Sequence, residues 1–495
     1  MSSHRASGIL LHPTSLPGRF GIGDLGPEAC RWLDFLADAG QRLWQVLPLG
    51  PTGFGDSPYQ CFSAFAGNPH LVSPERLLED GLLEPAALEA APDFPADRVD
   101  YGAVIEWKRV MLARAHARFA AGATPRLREA YGEFRGTHAA WLEDFALFMA
   151  LKDLHGGAVW TAWEEGFARR EPRALATAGE RLAAVVDLHR FRQFLFFRQW
   201  SALRGRARER GVRIVGDLPI FVAHDSADVW AHPELFRLDE RGEPTVVAGV
   251  PPDYFTRTGQ LWGNPLYRWD EMRRDGYAWW VARLRGALEL ADLVRLDHFR
   301  GFESCWEVRA GEPTAEHGRW APGPAEHFFE TVRAAVGELP LIAEDLGMIT
   351  PPVVALRDWL ELPGMRVLQF AFDGDGRHPF LPHNHVRNCV VYTGTHDNDT
   401  SAGWYATAPE RERDFARRYL GVDGDGIAWG LIRAAYASVA DTVVVPLQDV
   451  LSLGPEARMN LPGRPDGNWT WRVDGAQLTG AVRDRLRDLT GTFGR

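Results

Sequence analysis

Lysine is almost missing from this chain: of its 55 basic residues, only Lys108 and Lys152 are not arginine. Cysteine is scarce as well, and Cys30, Cys61, Cys305 and Cys389 stand far apart, without CxxC or metal-ligand spacing. A disulfide framework and a zinc site are therefore disfavoured, and reduced, buried thiols are expected. No segment reaches the ~20 apolar residues of a membrane span, and the apolar run after "MSSHRAS" is too short for a secretory signal. A cytoplasmic protein without a membrane partner is expected. The net charge is −11, and the lone short basic run, "RGRARERGVR" near residue 204, reads as one solvated helix face. Nucleic acid is excluded as a partner on that balance. Neither an internal repeat nor a low-complexity linker is found.

Among what is present, "GIGDLG" at residues 21–26 has the glycine spacing of a dinucleotide-binding loop. Its context is wrong for one. "HPTSLPGRF" separates it from the preceding apolar run, and the next run, "RLWQVLPLG", ends without the carboxylate that would hold a ribose. A structured loop entering a helix near Asp24 is the better reading.

Eight apolar runs of strand length recur along the chain: "GILLH" (8–12), "LWQVLPL" (43–49), "VRIVGDLPIF" (212–221), "DLVRLDHF" (292–299), "LPLIAEDL" (339–346), "MRVLQFAF" (365–372), "NCVVYTGTHDN" (388–398) and "DTVVVPLQDV" (441–450). Continuous rather than alternating hydrophobicity implies burial on both faces, as in parallel strands flanked by helices. Eight such units predict a single (β/α)8 barrel over residues 1–495, without a separate C-terminal β-domain. Residues 72–205 read as a mainly helical insertion between strands 2 and 3. Residues 248–270, "AGVPPDYFTRTGQLWGNPLYRWD" from 248, have Pro, Gly and aromatics without clear periodicity and read as an active-site loop between strands 3 and 4.

Charged residues crowd the C-terminal ends of these runs: Asp217, then Arg295, Asp297 and His298, then Glu344 and Asp345, then His396, Asp397 and Asp399. In a barrel those ends meet on one face, which carries the active site. Each has a structural alternative. Asp297 could pair with Arg295, "HDN" could cap a turn, and "EDLG" could cap a helix. Jointly those alternatives ask three strands to place a costly acid at one rim. No HExxH or complete calcium loop supports a metal, since "DGDG" at 373–376 lacks a closing Glu, so no metal and no cofactor is expected. Glycosyl transfer fits better, with one ionised carboxylate attacking an anomeric carbon and one protonated carboxyl serving the leaving oxygen. Arg295 would keep Asp297 ionised, whereas Glu344 in a drier wall could hold its proton. The 19 tryptophans suit both core and sugar platforms.

"GILLHPTSLPGRFGIGDLG", "SPYQCFSAFAGNP", "VGDLPIFVAHDSADVW", "PPDYFTRTGQLWGNPLY", "VRLDHFRGF", "IAEDLG", "YTGTHDNDT" and "RMNLPG…GNWTWR" together closely resemble the 4-α-glucanotransferases, also called amylomaltases, of the α-amylase-like superfamily. The helical insertion matches only loosely. The resemblance implies Asp297 as nucleophile, Glu344 as general acid/base and Asp397 as the group gripping the sugar's 2- and 3-hydroxyls. It places Arg295, His298 and His396 around the sugar, Tyr59 stacked on it, Asp217 at its hydroxyls, and Phe255 and Trp262 on the acceptor side. Maltooligosaccharides and starch- or glycogen-type α-glucans are the implied partners, with the oligomeric state open between monomer and dimer. A hydrolase on the same barrel and a non-catalytic glucan-binding protein are the rival readings.

Overall fold

The computed structural model describes residues 5–122, 124–252, 256–464 and 466–495. Eight parallel strands close into a barrel: Ala6–Leu10, Leu43–Gln45, Arg213–Pro219, Leu293–Asp297, Leu341–Ala343, Gly364–Val367, Cys389–Tyr392 and Thr442–Pro446. Each overlaps one of the eight apolar runs, and neighbours in the barrel are neighbours in the series. The first strand closes on the eighth in a register from Ala6↔Thr442 to Leu10↔Pro446. Ile9, Val215, Leu296, Ala343, Val391 and Val444 are all 1% exposed or less, as strands covered by helices outside and side chains inside must be. One polar pair sits in this interior, where Tyr392 OH donates to Gln45 Oε1 at 2.8 Å and so leaves neither group unsatisfied.

Helices Pro27–Asp38, Ala278–Leu290, Ala325–Val336, Pro351–Trp359, Ile427–Ala437 and Gly480–Phe493 lie outside the strands. The connection from the sixth to the seventh strand departs from the eight-fold pattern. It makes only the short 3₁₀ turns Leu368–Phe370 and Pro382–Asn384. Its "DGDGRHPFLPHN" supplies glycines and prolines where a helix would need good formers.

Between the second and third strands lie three long helices, Tyr101–Gly122, Pro125–Leu154 and Ala183–Glu209, with shorter ones around them. Proline opens several of these, at Pro74, Pro85, Pro125 and Pro172, where a missing N–H costs nothing. The last long helix packs on Pro27–Asp38, on Ala278–Leu290 and on the third strand, and so also serves as barrel wall. Both lysines are buried here. Lys108 Nζ donates to Val72 O at 2.7 Å and stands 4.0 Å from Asp24, and burial pushes it down to about 8. Lys152 Nζ holds the Gly157 and Ala158 carbonyls, each at 3.1 Å, and Asp225 at 2.7 Å.

A second sheet was not legible as such. Gln260–Pro265, Val246–Val250, Ser304–Arg309 and Gly318–Pro322 form a four-stranded antiparallel sheet, in that order, above the third and fourth barrel strands. Two of its strands lie in or at the edge of residues 248–270, which were expected to lack regular structure. Phe255, from the same segment, lies outside the described residues. "GIGDLG" is the loop into the first helix: Asp24 Oδ1 accepts from Gly26 N at 2.9 Å, and the helix opens at Pro27.

Candidate active site

The C-terminal ends of the third, fourth and fifth strands carry three of the predicted acids side by side. The register pairs Asp217 with Arg295 and Leu296 with Ala343, so Asp297 and Glu344 are the next residues along adjacent strands. Arg295, 4% exposed, is held between two carboxylates. Its Nη1 donates to both Asp217 oxygens at 2.9 and 2.7 Å, and its Nη2 stands 2.8 Å from Asp297 Oδ1. Tyr59 OH donates to Asp217 Oδ2 at 2.9 Å. Asp217 was expected to hold sugar hydroxyls directly. Its side chain is instead fully enclosed, and its oxygens are taken by Arg295 and Tyr59, so it acts by orienting those two.

Glu344 accepts two backbone hydrogen bonds, Oε2 from His298 N at 2.8 Å and Oε1 from Leu346 N at 2.9 Å. Burial, then the nearby Asp297 charge, pushes its carboxyl up to about 8 against Arg295 and the Leu346 donor. Asp297 is raised too, because burial outweighs the pull of Arg295. The sequence had suggested that Arg295 keeps Asp297 ionised, but the guanidinium does not fully set its state. It does make the pair unequal: Asp297 has a cation in contact and Glu344 has none that close among the described ion pairs. Glu344, raised to about 8, favours its protonated form near neutral pH.

The turn after Asp297 is tight. His298 takes a left-handed φ of 51°, and its ring meets Trp262 edge-on with centroids 4.7 Å apart. Burial pushes His298 down to about 3, so the imidazole is neutral, and its Nε2 is buried without a hydrogen-bond partner among the described residues.

Across the barrel mouth, His396 stacks on Tyr59 with centroids 5.1 Å apart and planes 16° apart, and Trp469 tilts against both rings. Asp397 is the most open of the three acids, its side chain 46% exposed. Its Oδ1 accepts from Asn460 Nδ2 at 2.6 Å, and its carbonyl accepts from Arg458 Nη2 at 2.7 Å. Asn460 N in turn donates to His396 O at 3.1 Å. Asn460, Arg458 and Trp469 were missed as site residues. The available signal is the pair of segments "RMNLPG" and "GNWTWR", which carry the family resemblance but assign these residues no role. Asn460→Ala is expected to lower kcat about 10-fold or more with the fold intact, since it frees Asp397 to turn to solvent; steady-state kinetics beside a melting curve would check this.

Among the described residues no cluster of three or more His, Cys, Asp or Glu could hold a metal ion, and no helix is long and apolar enough to cross a membrane.

An acid pair of this kind at the mouth of a barrel suits several glycosyl chemistries, and comparison with known proteins decides among them. The sequence pattern of one family, described as 4-alpha-glucanotransferase, matches residues 11–478. The chain belongs to the 4-α-glucanotransferase family. It is 56% identical to the 4-alpha-glucanotransferase of Thermus thermophilus over 99% of both chains, and 53% identical to that of Synechocystis over 100% of this chain and 99% of the other. Its structure superposes on an amylomaltase from Streptococcus agalactiae in complex with acarbose, with a TM-score of 0.96, 38% identity and 99% of each chain covered. As a 4-α-glucanotransferase-family enzyme, it carries the acid pair at the barrel face where such folds place chemistry.

Proposed function

We propose that this enzyme moves segments of α-1,4-glucans, including maltooligosaccharides, from one chain to the 4-hydroxyl of another by a retaining double displacement. The observation that carries this reading is the unequal acid pair, with Asp297 in contact with Arg295 and Glu344 raised to about 8 on the adjacent strand. Asp297 attacks the anomeric carbon while Glu344 gives its proton to the leaving 4-oxygen. A glycosyl ester forms on Asp297 and the shortened glucan departs. Glu344, now ionised, takes the proton from an acceptor 4-hydroxyl, which attacks the same carbon and frees Asp297. Asp397, held by Asn460, grips the sugar's 2- and 3-hydroxyls, and Tyr59 with His396 forms a flat wall for the ring.

Transfer must outcompete hydrolysis by water at tens of molar against an acceptor near millimolar, a factor of roughly 10⁴ to 10⁵, or about 6 to 7 kcal/mol. The Gln260–Pro265 part of the 248–270 segment covers the acceptor side in this reading, with Trp262 against His298. Incubation with maltotriose alone is expected to give a ladder of longer maltooligosaccharides with few new reducing ends. Glucose and maltose without longer chains would make the enzyme a hydrolase, and no reaction would leave a binding protein. Trp262→Ala is expected to raise hydrolysis relative to transfer, read as new reducing ends per transfer event; an unchanged ratio removes the loop from the account.

A further inference from the structure

The antiparallel sheet straddles the turn that follows the nucleophile. One outer strand, Gln260–Pro265, sets Trp262 against His298; the other, Gly318–Pro322, sets Trp320 against Arg300, with the guanidinium carbon 3.7 Å from the ring centroid. Trp306 on the strand between supports Trp320 edge-on at 5.2 Å. Arg300 is 4% exposed although it touches no substrate in the scheme above. Its Nη1 donates to the backbone carbonyl of Met348, its Nη2 to Ser304 Oγ at 3.0 Å and its Nε to Ser304 O at 3.3 Å. Ser304 Oγ donates onward to Glu303 at 2.6 Å, so this carboxylate is linked to the guanidinium through a hydroxyl.

Met348 lies in the loop that begins with Glu344 and runs to the helix opening at Pro351. The near end of that loop is pinned from below by Asp345, which meets Arg357 at 2.5 Å and accepts from Met365 N at 2.6 Å. A Cβ at position 364 would lie 2.3 Å from Asp345 Oδ2, so Gly364 leaves the room this anchor needs. The far end is tied at Met348 O by Arg300, and between the two ties Leu346 N holds Glu344 Oε1. We infer that Arg300, clamped by Trp320, is a positioning residue that sets the aim of Glu344 by fixing the 346–348 backbone against the nucleophile's turn.

This inference rests on the reading of Glu344 as the acid/base. The test compares two donors: maltotriose, whose leaving group needs the proton of an acid, and α-maltosyl fluoride with azide as acceptor, which needs neither an acid nor a base. Arg300→Lys keeps the charge but not the fork. It is expected to lower kcat on maltotriose about 10- to 100-fold with KM within about twofold, and to leave fluoride release within about threefold. Loss of the Leu346 donor to the ionised carboxylate also moves the alkaline limb of kcat/KM to higher pH. Trp320→Ala should repeat these effects and Trp320→Phe should recover most of the rate. Equal losses on both donors, no loss, or an unmoved alkaline limb overturns the inference. The parallel Glu344→Gln variant must itself spare fluoride release. If it does not, the acid/base assignment falls and the Arg300 inference with it, whereas a spared Glu344→Gln beside an indifferent Arg300→Lys removes the Arg300 inference alone.

Discussion

Asp297→Ala is expected to lower kcat on maltotriose by at least about 10⁴, with binding little changed. The magnitude follows from the role: without the carboxylate no covalent intermediate forms, and what remains is positioning by the rest of the site. Azide makes the outcome specific. In the Ala variant it enters the vacated space below the anomeric carbon and gives a β-glycosyl azide from an α-linked donor with a good leaving group. An α-glycosyl azide, or an Ala variant with more than a hundredth of the parental rate, would show that Asp297 is not the nucleophile. Asp297→Asn tests a second point, because it leaves Arg295 with one charged partner, Asp217, instead of two.

The second large effect belongs to Glu344. Glu344→Gln should lower kcat about 10² to 10⁴-fold on unactivated glucans and abolish the alkaline limb of the parental pH profile, which falls as Glu344 loses its proton near pH 8. With azide this variant should give the α-glycosyl azide, since the nucleophile still forms its ester and azide then attacks from the other side. Stability should move the opposite way from activity. The carboxyl titrates near its ordinary 4.5 in the unfolded chain and about 8 when folded, so the stability linked to it is complete below pH 4.5 and is lost as pH rises through 8. The neutral amide escapes that loss. The melting temperature of the Gln variant, whose amide nitrogen must face one of the two backbone donors, should therefore gain on the parent's between pH 5 and 9; a constant or falling difference would mean that Glu344 is not protonated in the folded enzyme at neutral pH.

Much of the barrel could be read before any coordinates because its strands carry a strong local mark. A strand buried on both faces must be apolar throughout, and the acids at the ends of "VRIVGD", "LVRLD" and "LIAE" interrupt that rule at one level of the barrel. The second sheet leaves no such mark. "VVAGV" contains glycine, "QLWGNP" glycine and proline, "GRWAP" is mostly exposed, and the pairing of "VVAGV" with "SCWEVR" joins segments some sixty residues apart. The sixth connection departs from the alternation of strand and helix because its prolines and glycines do not permit a helix. In the site, the acids were legible because a charged residue inside a strand is unusual. Their supports were not, because Asn460, Arg458 and Arg300 are ordinary polar residues on turns, and only the fold reveals what lies opposite them. Asp217 shows the limit most clearly: its presence at the rim was foreseen, but not that Arg295 and Tyr59 would occupy it.

The two buried lysines have a practical consequence. Amine-directed reagents, whether activated esters, aldehydes for immobilisation or acetyl donors, find no exposed side-chain amine on the folded enzyme, since Lys108 is 0% and Lys152 4% exposed. Attachment to a support can run through carboxylates or the chain terminus, and a lysine placed by design on the surface would be the one side-chain amine open to such reagents.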